Sequence, residues 1–353
     1  MELGKFLATG IGSLPYTSPE QAVDMILSKI PQAPHWPQMP KFGFHEQMEI
    51  QYSEGLPCQV VDRVKGRLHL DTSGDYSEAF ADFYTKYEQA VTEGQVDDSL
   101  GISSDFAHGF HAMENRLRSS GGKHPFVKGQ TCGPLTFTLT VTDQDKRALY
   151  YNEEFRDLCV KMAVVKCLWQ IQRLKPYAER IICFSDEPIL TAFGSSTYLA
   201  VKRENVVAMI GEVMEAVKAS GAVSGIHCCG NTEWSIPMDA GVDILNFDAF
   251  TCGDSLVMYA DAVKAFLKRG GFLAWGIVPT SKAIHDHPPA DLASRMEGFF
   301  KGLVEKGIDR FLLAERAILT PSCGTGTLEP SDAELVYDTL GDLSKLMKQK
   351  YGF

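Results

Sequence analysis

Short apolar runs alternate with longer amphipathic stretches along almost the whole chain, and this alternation limits the folds available to it. Runs that read as strands are Phe6–Ile11, Phe126–Thr131, Arg180–Ser185, Val223–Cys228, Val242–Phe247, Phe272–Gly276 and Arg310–Ala314. Between and after them apolar residues recur at helical spacing. Val206, Ile210, Val213 and Val217 form one such face, Leu292, Met296, Phe299 and Leu303 a second, and Val336, Leu340, Leu343 and Met347 a third. Ser18-Pro19-Glu20-Gln21 marks a helix start, with a cap, a proline at the first helical position and a Gln to close a capping box. Ser331-Asp332-Ala333-Glu334 suggests the same box for the last helix. Strands alternating with helices imply a parallel sheet covered by helices. Seven strand candidates, with an eighth in Gly101–Phe106 or within 41–70, favour a (β/α)8 barrel over an open doubly wound sheet. No Gly-x-Gly-x-x-Gly follows a strand, which argues against a dinucleotide-binding fold.

The alternation fails over residues 31–122. Pro31, Pro34, Pro37 and Pro40 make the first part loop or extended chain. Asp75–Val91 then reads as a helix, with Tyr76, Phe80, Phe83 and Tyr87 three or four residues apart. This region is read as an elaboration within the barrel, and residues 1–353 as one domain. A length of 353 residues fits that reading.

Charge and apolar content narrow the function classes. Lys and Arg number 34 against 45 Asp and Glu, a net charge of −11 with no basic run, which suits neither nucleic acid nor any other polyanion. No apolar stretch reaches the roughly 20 residues of a membrane helix. The start, Met1-Glu2-Leu3-Gly4-Lys5-Phe6, lacks the pattern of a signal peptide, so a cytoplasmic location is expected. The nine Cys are then expected to be free thiols or metal ligands, not disulfides.

The sharpest chemical feature is Gly225-Ile226-His227-Cys228-Cys229-Gly230-Asn231, at the end of an apolar strand. In a (β/α)8 barrel that is the active-site end. His227 and Cys229 stand two residues apart on one side of extended chain, and both are good Zn²⁺ ligands. The last strand leads into Thr320-Pro321-Ser322-Cys323-Gly324 at the same end. His227, Cys229, Cys323 and one carboxylate can therefore converge on one metal, assembled by the fold. Pattern alone weighs this evenly against plain burial of the thiols, and Cys228 reads as a small core residue. Asp248 is the weaker fourth candidate, with Glu233, Glu315, a substrate thiolate or a water competing, and its other reading is a helix N-terminal acid.

Three further strand ends carry candidate binding groups. Thr9-Gly10-Ile11-Gly12-Ser13-Leu14-Pro15 offers backbone N–H groups to an anion, although a tight turn is the stronger reading. Ser185-Asp186-Glu187-Pro188 places adjacent acids at an apolar strand end, where an ammonium or a helix start is needed to satisfy them. Lys128-Gly129 and Gly133-Pro134 read mainly as a turn.

Taken in order, Ile11-Gly12-Ser13, Lys128-Gly129 with Gly133-Pro134, Asp186-Glu187-Pro188, His227-x-Cys229 and Cys323-Gly324 resemble the catalytic domain of cobalamin-independent methionine synthase. They also resemble the related methylcobalamin:thiol methyltransferases, which share a barrel with uroporphyrinogen decarboxylase. The resemblance runs from residue 6 to about residue 349, and its metal-ligand set is the specific part. It implies zinc on His227, Cys229 and Cys323, with the acidic ligand at Asp248, where the family has Glu. It implies a homocysteine carboxylate cradle at Ile11, Gly12 and Ser13, and Asp186 on the substrate ammonium.

Two departures bear on the methyl donor. The family's N-terminal folate-binding half is absent, and Leu135-Thr136-Phe137-Thr138-Leu139-Thr140 lacks its folate-stacking tryptophan. The expected function is thus zinc-dependent methyl transfer to a thiol, homocysteine giving methionine, with a methylcorrinoid carried by a partner protein as donor. Alternatives are coenzyme M as acceptor, a tetrapyrrole decarboxylase, and a non-catalytic corrinoid-binding accessory protein.

Overall fold

The computed structural model describes residues 2–64 and 66–353. Its strands are β1 (Leu7–Ala8), β2 (Gln59–Asp62), β3 (Arg67–Leu70), β4 (His124–Cys132), β5 (Thr142–Asp143), β6 (Ala178–Asp186), β7 (Val223–Cys228), β8 (Ile244–Phe247), β9 (Phe272–Val278) and β10 (Ala317–Pro321). Seven of them form one curled parallel sheet in the order β1-β10-β9-β8-β7-β6-β4. Six expected strands lie where the apolar runs placed them. The seventh, Arg310–Ala314, is a helix instead, over Arg310–Glu315. The Asp309 side chain accepts from the Leu312 N–H at 2.7 Å and starts that helix, and the strand is the next run, Ala317–Pro321. A short apolar run does not by its periodicity declare itself helix or strand. Ser331 is likewise not a cap, because Pro330 takes the first helical position and Glu329 precedes it.

The expected closed eight-stranded barrel is not formed, because no ladder joins β1 to β4. Among the described residues neither Gly101–Phe106 nor 41–70 supplies an eighth strand to this sheet. The gap is spanned by the proline-punctuated segment 32–38. Phe126 and Lys128 of β4 donate to the carbonyls of Gln32 and Pro34, at 3.0 and 2.8 Å, and Trp36 N–H returns a bond to Lys128 at 3.3 Å. On the other side Gln38 N–H donates to Gly12 at 3.1 Å, and Leu14 N–H to Gln38 at 2.8 Å. Pro34 and Pro37 have no N–H to give, so only isolated bridges form in place of a ladder. Buried contacts anchor the segment: Thr9 donates to the Ala33 carbonyl at 2.8 Å, and the His35 ring meets the Tyr337 hydroxyl at 2.6 Å.

Alternate strand residues fill the concave face. Leu7, Phe126, Ile182, Phe184, Val223, Ile244, Ala274 and Ile318 form one buried cluster, which Ala33 of the bridging segment joins. Gly225 makes room in it, since a Cβ there would stand 2.1 Å from the Phe184 ring. The convex face packs against helices such as Glu153–Leu174, Arg203–Ala219, Pro289–Glu305 and Pro330–Tyr351. Each fully buried Leu, Ile or Phe contributes about 1.5–3 kcal/mol relative to exposure.

Within 31–122, β2 and β3 form an antiparallel hairpin that pairs in parallel with β5 beyond that region. The expected aromatic helix is present over Ser77–Glu93. Among the described residues no helix is long and apolar enough to cross a membrane.

Candidate metal centre

The parallel register aligns the chemistry at the carboxyl end of the sheet. Asp186 of β6 pairs with His227 of β7, which pairs with Asn246 of β8. Paired residues project from the same face, so these three side chains form a row. Cys229 follows β7 by one residue and Cys323 follows β10 by two. The ligand atoms of His227, Cys229 and Cys323 all lie within 4.8 Å of one another, and among the described residues they are the one such group.

The loop carrying Cys323 is fixed from two sides. Ser322 N–H donates to Val278 at 2.8 Å, and Thr325 N–H to Ser13 at 2.9 Å. The Ser13 hydroxyl accepts from Gly326 N–H at 3.2 Å. A side chain at Gly324 would strike that hydroxyl, at 2.1 Å, so the close approach of the two loops requires glycine there. Ser13 therefore supports the cysteine loop while lining the adjacent cavity.

His227 is buried and its two nitrogens differ. Nδ1 is bonded to the Asn246 side-chain oxygen, whereas Nε2 has no hydrogen-bond partner. Asn246 donates in turn to the Ala274 carbonyl at 2.9 Å and the Thr320 hydroxyl at 2.7 Å. The neighbouring Cys323 sulfur, with His227 adding to it, holds the Cys229 thiol far below its ordinary value, and Cys229 in turn pushes Cys323 up. Two sulfurs and a bare imidazole nitrogen suit Zn²⁺ as a donor set, with a fourth position left for an exchangeable group. The orphaned buried Nε2 is what such an ion would satisfy.

A cavity of about 240 Å³ opens on this cluster, lined also by Ile11, Ser13, Gln38, Glu46, Met48 and Asp186. Gln38, Glu46 and Met48 come from the 31–122 region, which thus forms one wall. Asp186 is buried with Oδ1 unpartnered. Burial raises its pKa to about 6, against the pull of Lys128 and His227. Lys128 lies wholly buried beneath, its ammonium donating to the Ile11 carbonyl at 2.5 Å and its pKa lowered to about 8 by burial. Among the described residues no Lys or Arg lines the cavity. Gly12 packs against Gln38 and Gln130.

The three acidic candidates do not join the cluster. Asp248 caps the helix Ala249–Val257, accepting from Thr251 N–H at 2.9 Å and from the Thr251 hydroxyl. Glu233 is bonded to Arg203 and Ser235, both at 2.9 Å. Glu315 precedes β10 and so sits at the opposite end of the sheet. Asp186 stays uncapped because its neighbour Glu187 takes the capping role, accepting from Leu135 N–H at 3.0 Å and Thr136 N–H at 2.7 Å. Sequence reasoning missed Asn246 and Glu46 and read Lys128 mainly as part of a turn. Asn246 and Lys128 are polar residues in phase with the concave face.

No protein-family model matches the sequence, and no curated protein shows significant similarity to it. Among solved structures the chain resembles a methyltransferase from Methanosarcina mazei, at 13% identity over 92% of this chain and 86% of that one, with a TM-score of 0.56. A B12-independent methionine synthase from Shewanella sp. W3-18-1, in complex with selenomethionine, matches at 13% identity over 67% of each chain, with a TM-score of 0.43. At these identities the first likeness establishes a shared fold.

Proposed function

We propose that this chain is a zinc-dependent methyltransferase that methylates a thiol, with homocysteine as acceptor and a protein-borne methylcorrinoid as donor. The observation that carries the reading is the convergence of His227, Cys229 and Cys323 within 4.8 Å at a cavity of about 240 Å³. The fold shared with the Methanosarcina methyltransferase supports it. Zn²⁺ on those three ligands, when bound, supplies deprotonation of an acceptor thiol, whose free pKa of ~8.5 leaves it a poor nucleophile at neutral pH.

The chain's own residues orient the acceptor. Asp186, buried with Oδ1 free, accepts an ammonium, and Ser13, which lines the same cavity, receives the carboxylate. A cavity lined by carboxylates and no cation favours an amine-bearing thiol over the anionic coenzyme M. The sulfur attacks the methyl carbon in line. The carbon–sulfur bond forms as the cobalt–carbon bond breaks, the electron pair leaves with cobalt, and the thiol proton passes to solvent.

The test is zinc content of the purified protein together with turnover of methylcobalamin by homocysteine and by coenzyme M. Stoichiometric zinc and thioether from homocysteine are expected. Turnover in fully metal-free protein refutes the reading.

A further inference from the structure

We infer that Asn246 is the positioning residue of this centre, fixing the tautomer and rotation of the His227 ring so that a bare Nε2 faces the two sulfurs. The inference rests on the metal reading above and assigns a role to a residue outside the ligand set. A neutral imidazole carries one proton, and the nitrogen that holds it is decided by what faces each side. Here the Asn246 side-chain oxygen holds Nδ1, while Nε2 has no hydrogen-bond partner and stands toward the Cys229 and Cys323 sulfurs. The amide itself has one orientation. The Ala274 carbonyl only accepts, so the Asn246 NH₂ must turn toward it, and the oxygen is left for His227. The Thr320 hydroxyl takes the second N–H at 2.7 Å. All three bonds are buried, and the β7–β8 register that pairs His227 with Asn246 brings the partners together.

An amide suits this place better than a carboxylate. Cys229 and Asp186 already bring negative charge to the row, and a carboxylate at 246 would confront the Ala274 carbonyl, acceptor against acceptor. Asparagine gives His227 its acceptor without added charge. The cost of leaving Nε2 buried and unpaired is then removed by a ligand on that nitrogen. Outer-sphere partners of this kind typically change metal affinity 10–100-fold.

The experiment uses the full chain, with Asn246→Leu to delete the amide at similar volume and Thr320→Val to remove one of its two anchors. Nitrogen-15 NMR of histidine-labelled, metal-free protein at alkaline pH reads the tautomer, and competition with a chromophoric chelator reads Zn²⁺ affinity. His227 is expected with its proton on Nδ1 in the wild type and redistributed to Nε2 in Asn246→Leu. Zn²⁺ affinity falls about 10–100-fold in Asn246→Leu, with a smaller drop in Thr320→Val. Should Asn246→Leu fail to fold, Thr320→Val and the wild-type tautomer still decide. A wild-type proton on Nε2, or variants that bind Zn²⁺ as tightly as the wild type, overturns the inference. A wild type that binds no Zn²⁺ overturns the metal reading instead, and the tautomer, read without metal, still judges Asn246.

Discussion

The sulfurs of Cys229 and Cys323 lie within 4.8 Å of each other, although one follows β7 and the other follows β10. Two strands, β8 and β9, separate them in the sheet. Their meeting therefore depends on the curl of the sheet and on the Ser13 contacts that fix the Cys323 loop.

Replacing Cys323 by Ser should abolish stoichiometric zinc and methyl transfer together while the fold persists, because the side chain is a loop group and not a core anchor. Metal analysis alongside circular dichroism checks this. An active, metal-free Cys323→Ser protein would sink the assignment.

Asp248→Ala distinguishes a cap from a ligand. The carboxylate is bonded to Thr251 at the start of a helix, so the variant should lose about 0.5–2 kcal/mol of stability and keep its zinc. Urea unfolding gives the first quantity and metal content the second. Zinc lost in a variant of unchanged stability would return Asp248 to the coordination shell.

Asp186→Asn keeps the shape and removes the charge. If the carboxylate holds an ammonium, KM for homocysteine should rise about 10-fold or more, since a charge-assisted bond contributes about 1.5–3 kcal/mol. Any turnover of coenzyme M, which lacks an amine, should not fall. Equal effects on both acceptors would count against an amine-specific role.

Lys166 gives a pH signature away from the site. It is fully buried, donates to the carbonyls of Glu54, at 2.6 Å, and Gly101, and its pKa is lowered to about 7 by burial. The ordinary lysine value is ~10.4, so between pH 7 and 10 the unfolded chain holds the extra proton. Stability from this group therefore rises with pH over that window, by at most ~1.4 kcal/mol per unit. Wild type should gain on Lys166→Met between pH 7 and 9 in urea melts; parallel behaviour would show that the amine titrates normally.

The strand–helix alternation was legible because six strands are apolar enough to be buried on both faces. The cluster of His227, Cys229 and Cys323 was legible because His227 and Cys229 share one strand end and Cys323 follows another. The sequence misled where competing local signals decide. Arg310–Ala314 is as apolar as a strand, yet Asp309 starts a helix there. Asp248 ends its strand as a ligand should, yet Thr251 captures its carboxylate. Asn246 carried no pattern of its own, because its role appears only when the β7–β8 register sets it against His227.

The segment 32–38 has a consequence for the chain's behaviour in a crowded solution. An open sheet leaves two raw margins, each a template on which a second molecule can add a strand. Here both margins are already occupied, and the occupant itself cannot propagate the pairing, since Pro34 and Pro37 offer no hydrogen for a further neighbour. The segment that spans the gap thus leaves neither margin as a free template.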